Sequence, residues 1–338
     1  MHVLITGGAG FIGVNLARRL LNRGETVTIL DNFSRRGTGA NLEWLQTQCR
    51  TGPDVVQGDL AVAADVERAV RSAEVVYHLG GQVAVTTSVQ SPRRDFEVNA
   101  LGTFNVLEAA RQSHLRPAVI YASTNKVYGA LEGAKVIEGE TRYHFAALPH
   151  GVPESFPLDF HSPYGCSKGA GDQYVRDYAR IYELPTVVFR QSCIYGYRQF
   201  GIEDQGWLAW MVIAALSGKP ITIYGNGKQV RDVLFIDDLL DAYDAAVDHI
   251  ETARGEIYNI GGGPEQSLAI WTEFGQLLAE LIGHEVPVGH GPERPGDQPI
   301  YISDIRKAES ELGWTPRIPA REGIEQLVKW VRSVQESR

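Results

Sequence analysis

Cysteine is scarce in this chain of 338 residues: Cys49, Cys166 and Cys193 are an odd number without metal-ligand spacing. They exclude a disulfide framework and a cysteine-built metal centre, and predict reduced thiols in a cytoplasmic protein that holds no metal. Positive charge is in deficit, 32 Lys and Arg against 41 Asp and Glu for a net charge of −9. That argues against a nucleic-acid partner, which would want a basic face. A few local arginines can still hold a phosphate. No apolar run approaches the roughly 18 residues that span a bilayer, and the first strand begins at residue 2 or 3, leaving no room for a signal peptide. No membrane partner is therefore expected. Low-complexity tails and internal repeats are missing too. What remains is ordinary for a globular protein, 43% hydrophobic and 22% charged, and long enough for a large α/β domain with a smaller appendage.

Glycine, by contrast, is concentrated at the start. Gly7-Gly8-Ala9-Gly10-Phe11-Ile12-Gly13 follows the apolar run Val3-Leu4-Ile5 and precedes the helical stretch Asn15–Leu21. Gly8, Gly10 and Gly13 satisfy G-x-G-x-x-G, a strand-to-helix turn whose free N–H groups face a diphosphate. A second apolar run, Val27–Leu30, ends in Asp31, eighteen residues after Gly13. An acid there accepts hydrogen bonds from the adenosine ribose and repels a 2′-phosphate, which favours NAD over NADP. Arg35 and Arg36 nearby could instead hold a 2′-phosphate.

Strands then alternate with helical segments: Val55-Val56 leading to Gly58-Asp59-Leu60, Val75–Leu79, Ala118–Ala122 and Thr186–Phe189, with helices near 64–72, 96–113 and 167–182. This pattern predicts an α/β fold, a Rossmann-type doubly wound parallel sheet. From Tyr195 onward shorter elements rich in glycine and proline predict a smaller mixed α/β lobe closing over the carboxyl edge of the sheet. The expected division is 1–190 for the NAD-binding domain with the catalytic residues and 191–338 for a mainly substrate-binding lobe, some of it crossing back to the sheet.

Tyr164-Gly165-Cys166-Ser167-Lys168 carries the chemistry. Positions i and i+4 share a helix face, so phenol and ammonium point the same way, and a nearby cation favours the phenolate. Ser123-Thr124, at the end of a strand, adds a hydroxyl. Together these groups can remove a proton from an alcohol while NAD takes the hydride. Taken alone, Y-x-x-x-K is also what a surface Tyr–Lys pair looks like.

These motifs resemble the extended short-chain dehydrogenases/reductases, the nucleotide-sugar epimerase and dehydratase family, over essentially the whole chain. Ser123–Gly129, His161–Ala170 and Asp204–Trp207 are most similar to the CDP-tyvelose (CDP-paratose) 2-epimerases. The resemblance implies that Thr124, Tyr164 and Lys168 are catalytic. It implies a cofactor site of Gly7, Gly10, Phe11, Ile12 and Gly13 at the pyrophosphate, and Asp31 and Asn32, with Ser34 and Arg35, at the adenosine ribose. Asp59 and Leu60 would meet the adenine, Leu79, Gly80, Gln82, Asn99 and Ser123 would lie along the cofactor, and Ser192 and Ile194 would meet the nicotinamide. For the substrate, a nucleotide-diphosphate sugar with CDP favoured, it implies Gln82, Thr124, Asn125, Lys126, Gln191 and Gln205. Arg231 and Arg294 would hold the diphosphate and Asp297 the nucleotide ribose; by chemistry alone, two arginines in surface loops are the lesser alternative.

The related 4,6-dehydratases follow the threonine with Asp-Glu, the acid and base of water elimination. Here Asn125-Lys126 cannot supply that carboxylate pair. The implied activity is an isomerase, C2 epimerisation of a CDP-hexose by transient oxidation and hydride return. A UDP-hexose 4-epimerase is the alternative, and a non-catalytic nucleotide-binding protein the rival from another class. The resemblance also implies a homodimer or homotetramer built on the helices near 96–113 and 167–182. His78 and His161 are read as packed or capping groups, and Trp207 and Trp210 as core residues.

Overall fold

The computed structural model describes residues 1–293 and 298–336. Among them the chain divides into two units, Met1–Val127 with Ser162–Arg190 and Ala242–Tyr258, and Tyr128–His161 with Gln191–Asp241 and the chain from Asn259 onward. The first is therefore assembled from three stretches of sequence.

Its strands are β1 (His2–Thr6), β2 (Thr26–Asp31), β3 (Asp54–Gln57), β4 (Val75–His78), β5 (Ala118–Thr124), most of β6 (Thr186–Gln191) and half of β7 (Ile257–Ile260), the last residues of these two being counted with the second unit. They form one sheet in the order β7-β6-β5-β4-β1-β2-β3. Pairing is parallel between β2 and β3, β1 and β2, β1 and β4, and β4 and β5. Buried parallel strands are apolar on both faces, and β1 and β4 are apolar along most of their length. The seventh strand, Ile257–Ile260, was not anticipated, being a four-residue run without alternation.

Helices α1 (Phe11–Asn22) and α2 (Thr38–Gln48) pack together. A second group is α3 (Ala63–Val70), α4 (Gly102–Gln112) and α5 (Ser162–Tyr182), with α4 packed against both α3 and α5. Leu4, Val76, Val119 and Val188 of the strands meet Val66, Val106, Leu107 and Val175 of the helices in one core. Strand order turns back between β1 and β4, so the loops after those two strands are neighbours, the place where such sheets bind nucleotides.

Two helix boundaries differ from the sequence reading. α5 begins at Ser162, where the Ser162 hydroxyl accepts the Gly165 N–H at 3.2 Å and Pro163 tolerates the first turn. The stretch near 96–113 is interrupted by a π-helical turn, Glu97–Leu101, which carries Asn99.

The second unit, only slightly smaller, is mixed α/β. Val230–Asp232 pairs antiparallel with Ser267–Ala269 and parallel with Ile300–Tyr301. Around it lie short strand pairs and the helices Trp207–Leu216, Phe274–Ile282 and Ala320–Glu336. Val230, Ala269 and Ile300 anchor a small core there. Among the described residues no helix is long and apolar enough to cross a membrane.

Candidate active site

The glycine turn is built to a tolerance that excludes side chains. Gly7 has φ +65°, and a Cβ on it would stand 2.7 Å from Gly80 Cα in the loop after β4. At Gly13 a Cβ would meet Gly7 O at 2.5 Å and Gly8 Cα at 2.6 Å, and at Gly8 it would meet Ile29 at 2.7 Å. Gly10 differs: only Gly7 O, at 3.1 Å, lies near its Cβ position, so the protein itself leaves the space in front of it open. Gly10 is also the N-cap of α1, with no side-chain cap and no acidic residue in the first turn, where Phe11 and Ile12 stand. An uncapped helix start beside an open glycine suits a diphosphate.

Asp31 ends β2 and accepts the N–H groups of Ala9 at 3.1 Å and Phe33 at 2.8 Å. Burial raises its pKa, against those two bonds and the charge of Arg35. Arg35 and Ser34 are exposed. Asn32 donates to Asp59 at 3.0 Å and accepts the Ser34 N–H at 3.1 Å. Asp59 also takes Arg94, which no sequence motif marks. Its carboxyl is held low, the Ala61 N–H and Arg94 outweighing burial. Leu60 is buried against Gly80 and Gly102.

His78 lies between two threonines at the sheet's carboxyl end. Thr103 donates its proton to Asn99 O at 2.6 Å, so His78 Nε2 donates to Thr103 at 2.9 Å, and Nδ1 accepts from Thr6 at 2.8 Å. Thr6 in turn accepts the Gly80 N–H at 3.0 Å. Burial, with a contribution from Lys168, pushes His78 down to about 3. A neutral histidine thus fixes the Leu79-Gly80 loop against β1, a positioning part rather than a proton carrier.

Thr124, Tyr164 and Lys168 are all buried. The Tyr164 phenol hydrogen-bonds with the Thr124 hydroxyl. That hydroxyl also contacts Asn125 Oδ1 and the Lys126 N–H, each at 3.3 Å. Lys168 Nζ donates to Ala122 O at 2.5 Å and sits 4.2 Å from the centre of the Tyr121 ring. The expected lowering of the phenol pKa by its lysine is not what the site does. Burial dominates both groups, pushing Tyr164 up to about 12 and Lys168 down to about 7, the latter against the pull of Asp172 and Asp95.

Around Lys168 lie groups the sequence reading passed over. Asp172, one turn on, takes Arg190 through two bonds of 2.9 Å and the Ser123 hydroxyl at 2.8 Å, all buried. Ser123 thus turns toward Asp172. Asp95 accepts from Ser167, Gln82 and Asn99. Acidic residues four positions from Lys168, or ahead of a π-turn, have no signature in one sequence. An i+4 Asp on the Tyr164 helix was the one visible hint.

In the second unit Ser192 donates to Asp232 at 2.6 Å, and Asp232 also accepts the Ser303 and Gly263 N–H groups. Ile194 pairs with Leu234, Gln191 is half-buried at the end of β6, and Gln205 closes a bridge with Ile202. Arg231 is buried, its Nη1 donating to Val230 O at 2.7 Å. Trp207 packs edge-on to Phe274. Arg294 and Asp297 lie outside the described residues. Among the described residues no cluster of His, Cys, Asp and Glu could hold a metal ion, and the three cysteines are free.

Comparison with known proteins agrees with this architecture. Residues 3–261 match the NAD dependent epimerase/dehydratase family. A CDP-paratose 2-epimerase of Salmonella typhi is 45% identical, covering 99% of this chain and 100% of its own. A dTDP-glucose 4,6-dehydratase of Neisseria gonorrhoeae is 34% identical, covering 97% and 95%. The crystal structure of a Thermus thermophilus UDP-glucose 4-epimerase complexed with NAD superimposes with a TM-score of 0.80 at 31% identity, covering 98% and 99%.

Proposed function

The chain belongs to the NAD dependent epimerase/dehydratase family, and from that premise we propose that it inverts C2 of a CDP-hexose of the paratose/tyvelose type. The observation that carries the reading is the buried trio of Tyr164, Thr124 and Lys168 followed by Asn125 and Lys126 rather than two carboxylates. The 45% identity to a CDP-paratose 2-epimerase supports the choice of sugar and base.

The glycines and the uncapped start of α1 fit a pyrophosphate, and Asp31 fits an adenosine ribose. NAD held there would supply a hydride acceptor for a reaction with no net oxidation. Tyr164 takes the proton of the sugar hydroxyl and gives it back, while Thr124 fixes the direction of the phenol. Burial favours the uncharged forms of both the Tyr164 phenol and the Lys168 amine. Arg231 and Arg294 hold the substrate diphosphate through planar guanidinium forks while the sugar turns. Lacking acid and base beyond Thr124, the chain eliminates no water.

The protein acts in the cytoplasm, consistent with three free thiols, and as a homodimer. Phe104 and Tyr174, in edge-on contact, and Ile181 and Tyr182 expose apolar surface on α4 and α5, which a second copy would cover. Incubating the purified protein with CDP-, UDP-, GDP- and dTDP-sugars and following products by NMR tests the reading. Inversion of the CDP-hexose alone supports it. Turnover confined to UDP-hexoses at C4 would replace it with a 4-epimerase.

A further inference from the structure

We propose that Asn41 is a positioning residue for the cofactor's pyrophosphate, the side chain that holds the Ala9–Gly10 peptide of the glycine turn in its anion-binding orientation. The inference rests on the assignment of that turn as the NAD cradle. Asn41 stands in the first turn of α2 and is 2% exposed. Its Nδ2 donates to Ala9 O at 3.1 Å. A carbonyl oxygen can only accept, so the amide must present its NH₂ to Ala9.

The turn is thereby fixed from three directions. Asp31 at the end of β2 accepts the Ala9 N–H at 3.1 Å, Asn41 takes the Ala9 carbonyl, and the Gly10 N–H turns back to Gly7 O at 3.0 Å. Asn41 is itself anchored. Its own N–H goes to Gly37 O at 2.9 Å, and Thr38, three residues before it, donates its hydroxyl to Arg35 O at 2.8 Å.

The glycines make such a clamp necessary. Gly10 leaves the ligand its space by lacking a side chain, but a glycine also frees the peptide before it to rotate. Val14 is the first residue whose N–H enters the α1 ladder, at Gly10 O, so the N–H groups of Phe11, Ile12 and Gly13 stay outside it, where an anion can take them. Ala9 lies four residues before Gly13. A released Ala9 O is therefore at the spacing that accepts the Gly13 N–H and lengthens α1 by one residue. That rotation would take a donor from the pyrophosphate and bring a carbonyl oxygen towards its negative charge. Among the side chains, only Asn41 holds that carbonyl.

The test compares ADP-ribose, which carries the pyrophosphate, with adenosine, which has none, by calorimetric and NMR titration. In Asn41→Leu, similar in shape but without a donor, ADP-ribose should bind about tenfold more weakly, the scale of one hydrogen bond lost with its buried acceptor left open. Adenosine should bind as it does to the unaltered protein. Equal loss for both ligands, the mark of a general structural role, or no loss for ADP-ribose would overturn the proposal. Should that variant not fold, Asn41→Asp decides. Its carboxyl donates to Ala9 O only when protonated, so ADP-ribose affinity relative to the unaltered protein should recover as pH falls, and a ratio indifferent to pH refutes the idea. Failure of the unaltered protein to bind ADP-ribose would remove the cradle and this proposal with it, whereas equal binding by parent and variant removes only the role of Asn41.

Discussion

Two alanines placed three residues apart should have opposite effects on folding and binding. At Gly13 a Cβ would stand 2.5 Å from Gly7 O and 2.6 Å from Gly8 Cα, both main chain and unable to swing aside. The turn must open, and overpacking of this kind costs about 1–3 kcal/mol. For a protein of this size that lowers Tm by roughly 2–4 °C for each kcal/mol. Gly10 has φ −72° and ψ 177°, a conformation alanine adopts freely, and its single neighbour at 3.1 Å needs to yield only slightly. Gly10→Ala should therefore melt within a degree or two of the parent, since its cost stays below about 0.5 kcal/mol. Its methyl group would occupy the space assigned to the pyrophosphate, so NAD affinity should fall about tenfold or more, equivalent to at least ~1.4 kcal/mol. Thermal unfolding and calorimetric NAD titration of both variants read the two effects separately. Unchanged NAD affinity in Gly10→Ala would refute the cradle, and an unchanged Tm in Gly13→Ala would refute the packing argument.

Tyr164→Phe should lose about 10²–10⁴-fold in kcat with NAD affinity retained, because the proton carrier goes and the cradle stays; near-normal turnover would contradict the assignment. Asp31→Ala should weaken NAD more than NADP in paired titrations, the carboxylate having a 2′-hydroxyl to accept from only in NAD. Arg190→Met should destabilise by about 3–5 kcal/mol, since it strands the fully buried Asp172 without its cation; denaturant unfolding reads this. His78, at about 3 in the folded protein and about 6.5 unfolded, binds its proton only on unfolding between those values. Stability should therefore fall as pH drops from 6.5 towards 3, by roughly 4 kcal/mol from this residue, and His78→Gln should flatten that slope.

The parts legible in the sequence are those encoded locally. The apolar run, the glycine turn and Asp31 at the end of β2 lie within thirty-one residues, and each depends on backbone geometry that neighbours in sequence impose. Tyr164 and Lys168 were legible because helical spacing alone brings them to one face. Ser162-Pro163 also marked the true start of their helix, a cap and first-turn proline overlooked in favour of the later polar run. Arg190 against Asp172, and Asp95 beneath Ser167, could not be read: each pairing is decided by which strand and helix the sheet order brings together. The direction of the pKa shifts was hidden for the same reason. Spacing put a cation on the face of the phenol, but burial is a property of the whole packed unit, and at this site it is the largest influence on both groups.

The central claim is reversible oxidation at C2 of a CDP-linked sugar, and one isotope measurement addresses it. A CDP-3,6-dideoxyhexose carrying deuterium at C2 is incubated with the protein in ordinary water and the products are read by NMR. Inversion at C2 with the deuterium kept there is the predicted result, because the hydride leaves and returns at a single carbon without meeting solvent. Oxidation at C4 followed by enolisation would acidify C3 and place solvent hydrogen at that carbon instead. Loss of the C2 label to water, or no reaction with CDP-sugars alongside C4 inversion of a UDP-hexose, would contradict the account.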